Sequence, residues 1–426
     1  SQPYTSDIFA MPLGPSPWNS MPASRPASSN SSTQSRTLSL FTNAAVYDLP
    51  STVRGSASAE ASTVSGCPNS RYGGSLAEGT DYWKEISRAG SVKNYDLSFS
   101  QGSDRGGVRF GANYFDQKGV VIGTGFKRMG LRVNSYTNFL NNHITVGENV
   151  TVSRANRQLM DNGFGGTPEQ APYRYKSILP VYTEDGRFSG PPGGGFSDRD
   201  NPVALAHDNL DDRNYAVKIF GNVYAEVKLM KGLSFRSNYG GDYDNIYSKD
   251  IFHTYKRGFL ANNTAELGIR QTHQTNWVFN NTFTYMTKIG QSNITALAGT
   301  EAIKKSFNFF AAEGKGFALE TPAYLQLSAA AGERTSSGFS TGFSLFSYFG
   351  KINYDLMDRY LASFTVRRDG SSRFGTKNRF AIFPAFSLGW RVSEESFLKD
   401  NPVISNLKLR YAYGQTGNQD ILDNAR

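Results

Sequence analysis

Residues 338–342 (GFSTG) are the first candidate for chemistry, because they match the G-x-S-x-G pattern of serine hydrolases. In those enzymes the serine lies on a sharp turn between a buried strand and a helix. Here a polar loop precedes Ser340 and an amphipathic strand pattern follows it. The sequence therefore favours a junction between a loop and a strand. A hydrolase built around Ser340 remains a minor alternative, and no catalytic residue is predicted.

Residues 370–377 (GSSRFGTK) come close to the pattern of a phosphate-binding loop. That motif requires a lysine directly after its second glycine, whereas Thr376 separates Gly375 from Lys377 here. We therefore interpret this stretch as a turn between two strands.

Metal binding has one candidate, a group of aspartates in an irregular segment: Asp198, Asp200, Asp208, Asp211 and Asp212. Carboxylates on a flexible loop suit Ca²⁺. Their spacing matches no established calcium loop, so a solvated polar loop is the favoured interpretation. The histidines, His143, His207, His253 and His273, lack metal-ligand spacing, and the single Cys67 excludes a multi-cysteine site. We predict no metal site and no cofactor.

Aromatic side chains in the long irregular segment 155–212 are the candidate binding residues. They are Tyr173, Tyr175, Tyr182 and Phe188. Aromatic faces offer a large contact area in a defined geometry and could stack on sugar rings or peptide side chains. The alternative, that they pack the loop against its own neighbours, is equally favoured. Loops of this length are often functional or mobile.

The segments that must position these residues alternate apolar and polar residues with a period of two. Between residues 348 and 413 the apolar positions include Tyr348, Ile352, Tyr354, Tyr360, Phe364, Val366, Phe386, Leu388, Trp390, Leu409, Tyr411 and Tyr413. Residues such as Lys351, Arg367 and Arg410 lie between them. This period predicts β-strands, and a series of such strands predicts an antiparallel meander.

The strands are long, at about 10 residues or more, and their apolar face is rich in aromatic residues. A face of this kind suits lipid, and the charged opposite face suits a wet lumen. The same alternation occurs at 217–229 and, as a pair of shorter strands, within 267–285. Short turns, such as the one predicted at 358–359, also alternate with long loops, the second of which is predicted at about 307–338, as in transmembrane barrels. We predict an all-β fold of about 13 strands, an antiparallel meander that forms part of a large transmembrane β-barrel.

The composition agrees with this fold class. The chain has 426 residues and a formal net charge of +9, with 45 Lys and Arg against 36 Asp and Glu. The basic residues alternate with apolar ones and do not cluster, which argues against nucleic-acid binding. The mean hydropathy of −0.46 is compatible with a barrel, because only alternate residues face lipid.

The chain divides into three parts. Residues 1–71 are rich in Ser, Pro and Ala, lack any sustained period, and are expected to be disordered or foreign to the fold. Residues 72–93 are interpreted as a junction that leads into the barrel. Residues 94–426 are interpreted as the partial barrel itself.

Several stretches resemble outer-membrane proteins of the SusC/RagA type. They are residues 80–90 (TDYWKEISRAG), 91–102 (SVKNYDLSFSQG), 111–131, 353–375, 383–395 and 407–419 (LKLRYAYGQTGNQ), in the order in which the family has them. The resemblance implies a TonB-dependent importer in the outer membrane of Bacteroidota, not an enzyme. It implies a large plugged barrel like the 22-stranded kind. It also implies contact with outer-membrane lipid, a SusD-like surface lipoprotein, the TonB complex acting through a plug segment, and an oligosaccharide or peptide substrate.

The sequence departs from the family before residue 80, because residues 1–70 do not resemble a plug. No signal peptide or closing C-terminal strands are recognised either, so a fragment with the N-terminal half of the barrel is expected. Such a sheet would stay open, with edges near Tyr95 and Tyr413. The alternative from another class is a surface-exposed β-sheet module that binds glycans without transport.

Overall fold

The predicted antiparallel meander is present in a computed structural model of the chain, which describes residues 35–47, 79–158, 171–193, 199–399 and 402–421. Thirteen strands form one sheet in chain order, and β8 and β9 form a separate hairpin. The first strands are β1 (Ser35–Tyr47), β2 (Gly90–Ser103), β3 (Gly106–Lys118), β4 (Gly125–Phe139), β5 (Ile144–Gln158), β6 (Arg213–Met230) and β7 (Leu233–Phe252). The others are β8 (Tyr255–Arg257), β9 (Leu260–Asn262), β10 (Glu266–Ile289), β11 (Ser292–Lys315), β12 (Arg334–Leu356), β13 (Tyr360–Ser371), β14 (Phe380–Arg391) and β15 (Lys408–Gly414).

Helices in the described residues are short and lie in the connections. They are α1 (Tyr82–Ile86), α2 (Ala171–Arg174) and α3 (Pro202–Asp208). No helix in this part of the chain is long and apolar enough to cross a membrane.

Alternating apolar and polar residues, as in β6, give the sheet an apolar face and a polar face. In β6, Ile219 and Val223 are 41% and 51% exposed on the apolar face. Lys218, one residue earlier, forms an ion pair at 3.2 Å with Asp244 of β7. The predicted alternation in β6 is confirmed, since neighbouring residues of a strand point to opposite faces.

Tight turns connect the strands at one end of the sheet. Gly232 between β6 and β7 has φ +82°, and a Cβ there would lie 2.3 Å from the carbonyl oxygen of Met286, so this turn requires glycine. Between β12 and β13, Met357 and Asp358 have positive φ angles, which places that turn one residue before the predicted position. The connections at the other end are long, notably residues 159–212, 253–265 and 316–333. The predicted alternation of short and long connections is confirmed from β4 to β13, whereas residues 119–124 at the long-loop end are short and residues 392–407 at the tight-turn end are long.

Three details differ from the sequence prediction. Ser35–Tyr47, in the segment predicted to lack structure, forms β1 and pairs with β2 along its length, so Tyr95 is not on an edge strand. Sheet pairing uses backbone groups, so a strand can form where no apolar period marks it. The two strands predicted within 267–285 are one strand, β10, of 24 residues. The loop predicted at 307–338 is shorter, because β11 and β12 extend into it. The rest of residues 1–71 lies outside the described residues.

Fully buried apolar side chains occur mainly under the long connections. One cluster consists of Tyr82, Ile86, Val121, Tyr175, Leu179, Val181 and Val203. A second consists of Ile251, Ala265, Leu267, Phe317, Leu325 and Ala330. The long loops that carry the candidate binding residues are therefore packed structures with their own cores.

Candidate functional site

The helix α1 anchors the first long loop. Asp81 caps it, and its carboxylate accepts hydrogen bonds from the backbone N–H groups of Trp83 and Lys84 at 3.1 and 3.2 Å. The hydroxyl of Tyr82 donates to the carbonyl of Leu179 at 2.8 Å. Residues 80–86, which carry part of the family resemblance, thus hold a loop that lies almost 100 residues later.

Tyr175, one of the four predicted binding residues, belongs to the core of this loop. Its ring meets the ring of Tyr82 edge to face at 5.0 Å, and only 4% of its surface is exposed. Burial raises the pKa of Tyr175 to about 12, so its hydroxyl stays neutral. The pKa of Tyr82 is raised by burial as well. Tyr175 offers no free face to a ligand in this arrangement.

The other three predicted residues reach the surface of the loop. Tyr173 is 79% exposed and touches Trp83 at 5.3 Å. Tyr182 is 50% exposed and stacks on Phe188, with ring centroids 5.3 Å apart and an angle of 27° between the planes. The outer face of the Tyr182 ring is thereby held in one orientation.

Asn201, which the sequence did not single out, locks the hairpin that carries Tyr182 and Phe188. Its side-chain amide donates to the carbonyls of Val181 and Ser189 at 2.9 and 3.1 Å. Its side-chain oxygen accepts from the N–H of Val203 at 3.0 Å and caps α3. Asn201 is fully buried, so all of these bonds form away from water.

A buried ion cluster joins this loop to β8. The guanidinium of Arg257 bonds Asp200 at 2.6 Å and Asp208 at 2.6 and 2.7 Å, and Arg257 is 5% exposed. Burial raises the pKa of Asp200 despite the attraction of Arg257. Burial opposes the charge on Arg257, but the two carboxylates outweigh it and raise the pKa of Arg257. The guanidinium also lies over the ring of Tyr255 at 4.3 Å. One cation therefore holds two acidic groups of the first loop.

These contacts occupy most of the aspartates considered as calcium ligands. Asp200 and Asp208 bind Arg257, and Asp212 accepts the backbone N–H of Ile251 at 2.7 Å. Asp198 lies outside the described residues. Among the residues that the structure does describe, no group of three His, Cys, Asp or Glu side chains is arranged to hold a metal.

His253 connects the other two long loops to the first. Its ring lies 3.1 Å from Glu320 and 3.6 Å from Asp211. Glu320 also accepts the backbone N–H of Thr254 at 2.9 Å. Burial opposes ionisation of Glu320, but its hydrogen bonds with Thr254 and His253 lower its pKa. The three long connections thus form one assembly at one end of the sheet.

Ser340, the candidate nucleophile, lies within β12 and not on a turn. Its hydroxyl donates to Asn308 of β11 at 2.6 Å, and the strand continues on both sides of it. The strand–turn–helix context of a serine hydrolase does not occur there. Residues 372–379 form the predicted turn between β13 and β14.

Charged residues on the polar face form local networks. Arg367 of β13 bonds Glu301 at 2.5 Å, Asp369 at 2.6 Å and the hydroxyl of Ser347 at 2.9 Å. Ion pairs of this kind allow several charged side chains to lie close together on one face of the sheet. These contacts are consistent with the prediction that the charged face of the sheet lines a wet lumen. They do not identify a path that a substrate would follow.

Comparison with known proteins identifies relatives. No family model matches the chain. The chain is 33% identical over 349 residues to the TonB-dependent receptor P3 of Formosa agariphila, a match covering 80% of this chain and 34% of that protein. It is 30% identical over 367 residues to the TonB-dependent receptor SusC of Bacteroides thetaiotaomicron, covering 81% of this chain and 35% of that protein. The chain thus spans about a third of the length of the curated relatives it matches.

The fold has a counterpart among solved structures. A chain in the structure of the RagAB peptide transporter aligns with a TM-score of 0.70 at 24% identity, over 81% of this chain and 39% of that chain. At this identity the likeness shows the fold. The relatives are named as receptors and the structural counterpart as a transporter, not as enzymes. TonB-dependent receptors are outer-membrane proteins, which confirms the predicted location. The chain is thus similar in sequence to part of the TonB-dependent receptors P3 and SusC, and its fold matches that of a chain in the RagAB structure.

Proposed function

We propose that the chain is part of a TonB-dependent importer that carries oligosaccharides or peptides across the outer membrane. The observation that carries this proposal is the 33% identity over 349 residues to a TonB-dependent receptor. The fold supports it, because a long meander with an aromatic-rich apolar face suits a lipid-embedded wall. The chain takes no catalytic part in the process.

The long-loop assembly is the proposed substrate-facing surface. Tyr182 and Tyr173 present exposed rings there, and Phe188 supports the ring of Tyr182 from behind. Stacking on a sugar ring or on a peptide side chain needs an aromatic face that is already oriented. Tyr175 packs in the core of the loop, so it is not among the residues proposed to bind substrate.

The proposed partners follow from the family. A SusD-like lipoprotein would cover the long loops on the outside, and the TonB complex would act through a plug segment. We expect no nucleic-acid partner for this chain.

Deletion of the gene that encodes this chain tests the transport function. Growth and uptake of labelled oligosaccharides and of labelled peptides would be measured in the parent and deletion strains. Loss of uptake of one substrate class, restored by the gene on a plasmid, supports the proposal. Unchanged uptake of every class would contradict it.

Substitutions in the loop assembly test the proposed surface separately. Tyr182→Ala removes the exposed ring, and Tyr136→Ala, on a strand far from this loop, is a matched control with a similarly exposed tyrosine. Uptake at low substrate concentration should fall in the first variant only. Equal uptake in both variants would remove Tyr182 from the binding set without affecting the transport proposal.

The competing function is a surface β-sheet module that binds glycans without transport. The two functions differ in whether the purified protein needs detergent to stay in solution. A binding module should remain monomeric in buffer without detergent, whereas a lipid-embedded wall should require detergent.

A further inference from the structure

A polar cleft of about 420 Å³ lies beside the N-terminal half of β12. The proposed transport function does not use this cleft. Its lining includes Lys304, Lys305, Ser306, Ser340, Gly342 and Ser372. Both stretches that resembled functional motifs in the sequence, residues 338–342 and 370–377, border it. The cleft therefore gives those serines and glycines a shared location.

The cleft exists because β12 is longer than its neighbour. β13 pairs with β12 only from Leu345 to Leu356, so the preceding residues of β12 pair with β11 alone. The N–H of Ser344 donates to the hydroxyl of Ser372, and the N–H of Ser372 donates to the carbonyl of Ser344, both at 2.9 Å. Backbone groups alternate in direction along a strand, so the N–H groups of Ser340 and Gly342 point to the same free edge. Sheet edges of this kind can form anion-binding concavities.

The charge of the lining has one sign. Lys304 supplies it from the face that it shares with Ser306 and Ser344, whereas the side chain of Lys305 points to the opposite face of β11, and the lining includes no carboxylate. Glu301, the nearest acidic residue along β11, is paired with Arg367 at 2.5 Å. Ammonium, hydroxyl and backbone N–H groups together form a donor set that suits a phosphate group.

The position of the cleft beside the apolar face indicates which kind of molecule would carry the bound phosphate. Ser344, Phe346 and Tyr348 alternate along β12 on one face, and the two rings are 39% and 49% exposed. Lys304 pairs across from Ser344, at the level where this apolar column ends. On β13, Arg368 follows Val366 on the same face and its guanidinium lies 4.8 Å from the ring of Phe380. Lys304 thus lies just beyond the apolar column, and Arg368 lies level with Tyr348 inside it.

We propose that this cleft binds the phosphate of a lipid headgroup in the outer leaflet, while the lipid tails lie against the apolar column below it. Lys304 supplies the charge, and the hydroxyls of Ser306 and Ser372 and the edge N–H groups supply the remaining donors. A lipid source is favoured over free phosphate because the cleft adjoins the lipid-facing side chains Phe346 and Tyr348.

Native mass spectrometry in detergent micelles tests the proposal, with diphosphorylated lipid A, its dephosphorylated form and inorganic phosphate as separate probes. The protein should retain phosphorylated lipid A, and the variant K304Q should weaken that binding roughly tenfold. The control K231Q removes the same charge from an exposed position at the tight-turn end of the sheet and should bind as the parent does. Ser306→Asp, which adds a negative charge to the cleft and keeps Lys304, should weaken binding at least as much.

Three results would overturn the proposal. Equal binding of the dephosphorylated lipid would remove the phosphate as the recognised group. Equal weakening in K304Q and K231Q would reduce the effect to general charge attraction. Binding of inorganic phosphate as tight as that of lipid A would remove the lipid as the source. Matching far-UV circular dichroism spectra establish that each variant is folded.

Discussion

Removal of Arg257 is expected to release the first long loop from β8. The variant Arg257→Gln leaves Asp200 and Asp208 with no cation, and Asp200 is 4% exposed. Breaking a buried ion pair on one side typically costs about 3–5 kcal/mol, because a charge remains buried without compensation. The local opening free energy of the hairpin at residues 181–189 should fall by an amount of this order.

Amide hydrogen exchange measures this opening. The N–H of Ser189 is a suitable probe, because it bonds the carbonyl of Val181 at 2.9 Å within the hairpin. A loss of about 3 kcal/mol accelerates its exchange by roughly a hundredfold. Arg187→Gln, which breaks an ion pair that is 73% exposed on the arginine side, should leave exchange at Ser189 unchanged.

A rescue experiment separates charge from packing. Adding Asp200→Asn and Asp208→Asn to Arg257→Gln removes the uncompensated charges and should restore much of the protection. Acidification should also raise the protection of Ser189 relative to its intrinsic exchange rate at the same pH in the single variant, because protonation neutralises the same carboxylates. Exchange at Ser189 that is equally slow in the parent and in Arg257→Gln would refute the role given to this cluster.

Three further outcomes are expected. Asn201→Ala should cost at least about 0.5–2 kcal/mol through the lost cap of α3, seen as faster exchange in the 181–189 hairpin. The pKa of Glu395 is lowered by hydrogen bonds from Tyr360 and Trp390, so its contribution to stability is present above the ordinary carboxyl pKa and lost as pH falls through the folded value. Acid should therefore shift the fluorescence of Trp390 in the parent, and Glu395→Gln should abolish that shift. Ile219→Arg should cost about 2–4 kcal/mol in lipid bilayers, whereas Lys218→Gln on the polar face should be nearly neutral, and equal effects in urea titrations would refute the assignment of faces.

The strand faces could be predicted because alternation is a local property. Tyr360, Phe364 and Val366 repeat every second residue, and no distant contact is needed to decide their side of β13. The extensions of β10 and β12 could not be predicted in the same way. Residues 270–276 of β10 read as a polar run (RQTHQTN) with no apolar period. Strand pairing there depends on backbone bonds to β7 and β11.

The candidate site could be predicted only in part, because residue type does not decide orientation. Tyr175 and Tyr182 lie seven residues apart in the same loop, yet one is 4% and the other 50% exposed. The difference arises from Tyr82, which packs on Tyr175 from a helix more than 90 residues earlier. Arg257 meets Asp200 across 57 residues of sequence. No short-range pattern marks such pairs.

The polar anchors suggest how the loop assembly could bind a weakly held ligand. A flexible loop would lose conformational freedom when it closes on a sugar or a peptide, and that loss would reduce affinity. Here Asn201 and Arg257 already fix the hairpin, and Phe188 already orients the ring of Tyr182. Most of the conformational freedom that the loop would lose on binding is thus already lost when the protein folds. A ligand that stacks on Tyr182 would need to order little more than its own contact, so even a single exposed ring can contribute to capture.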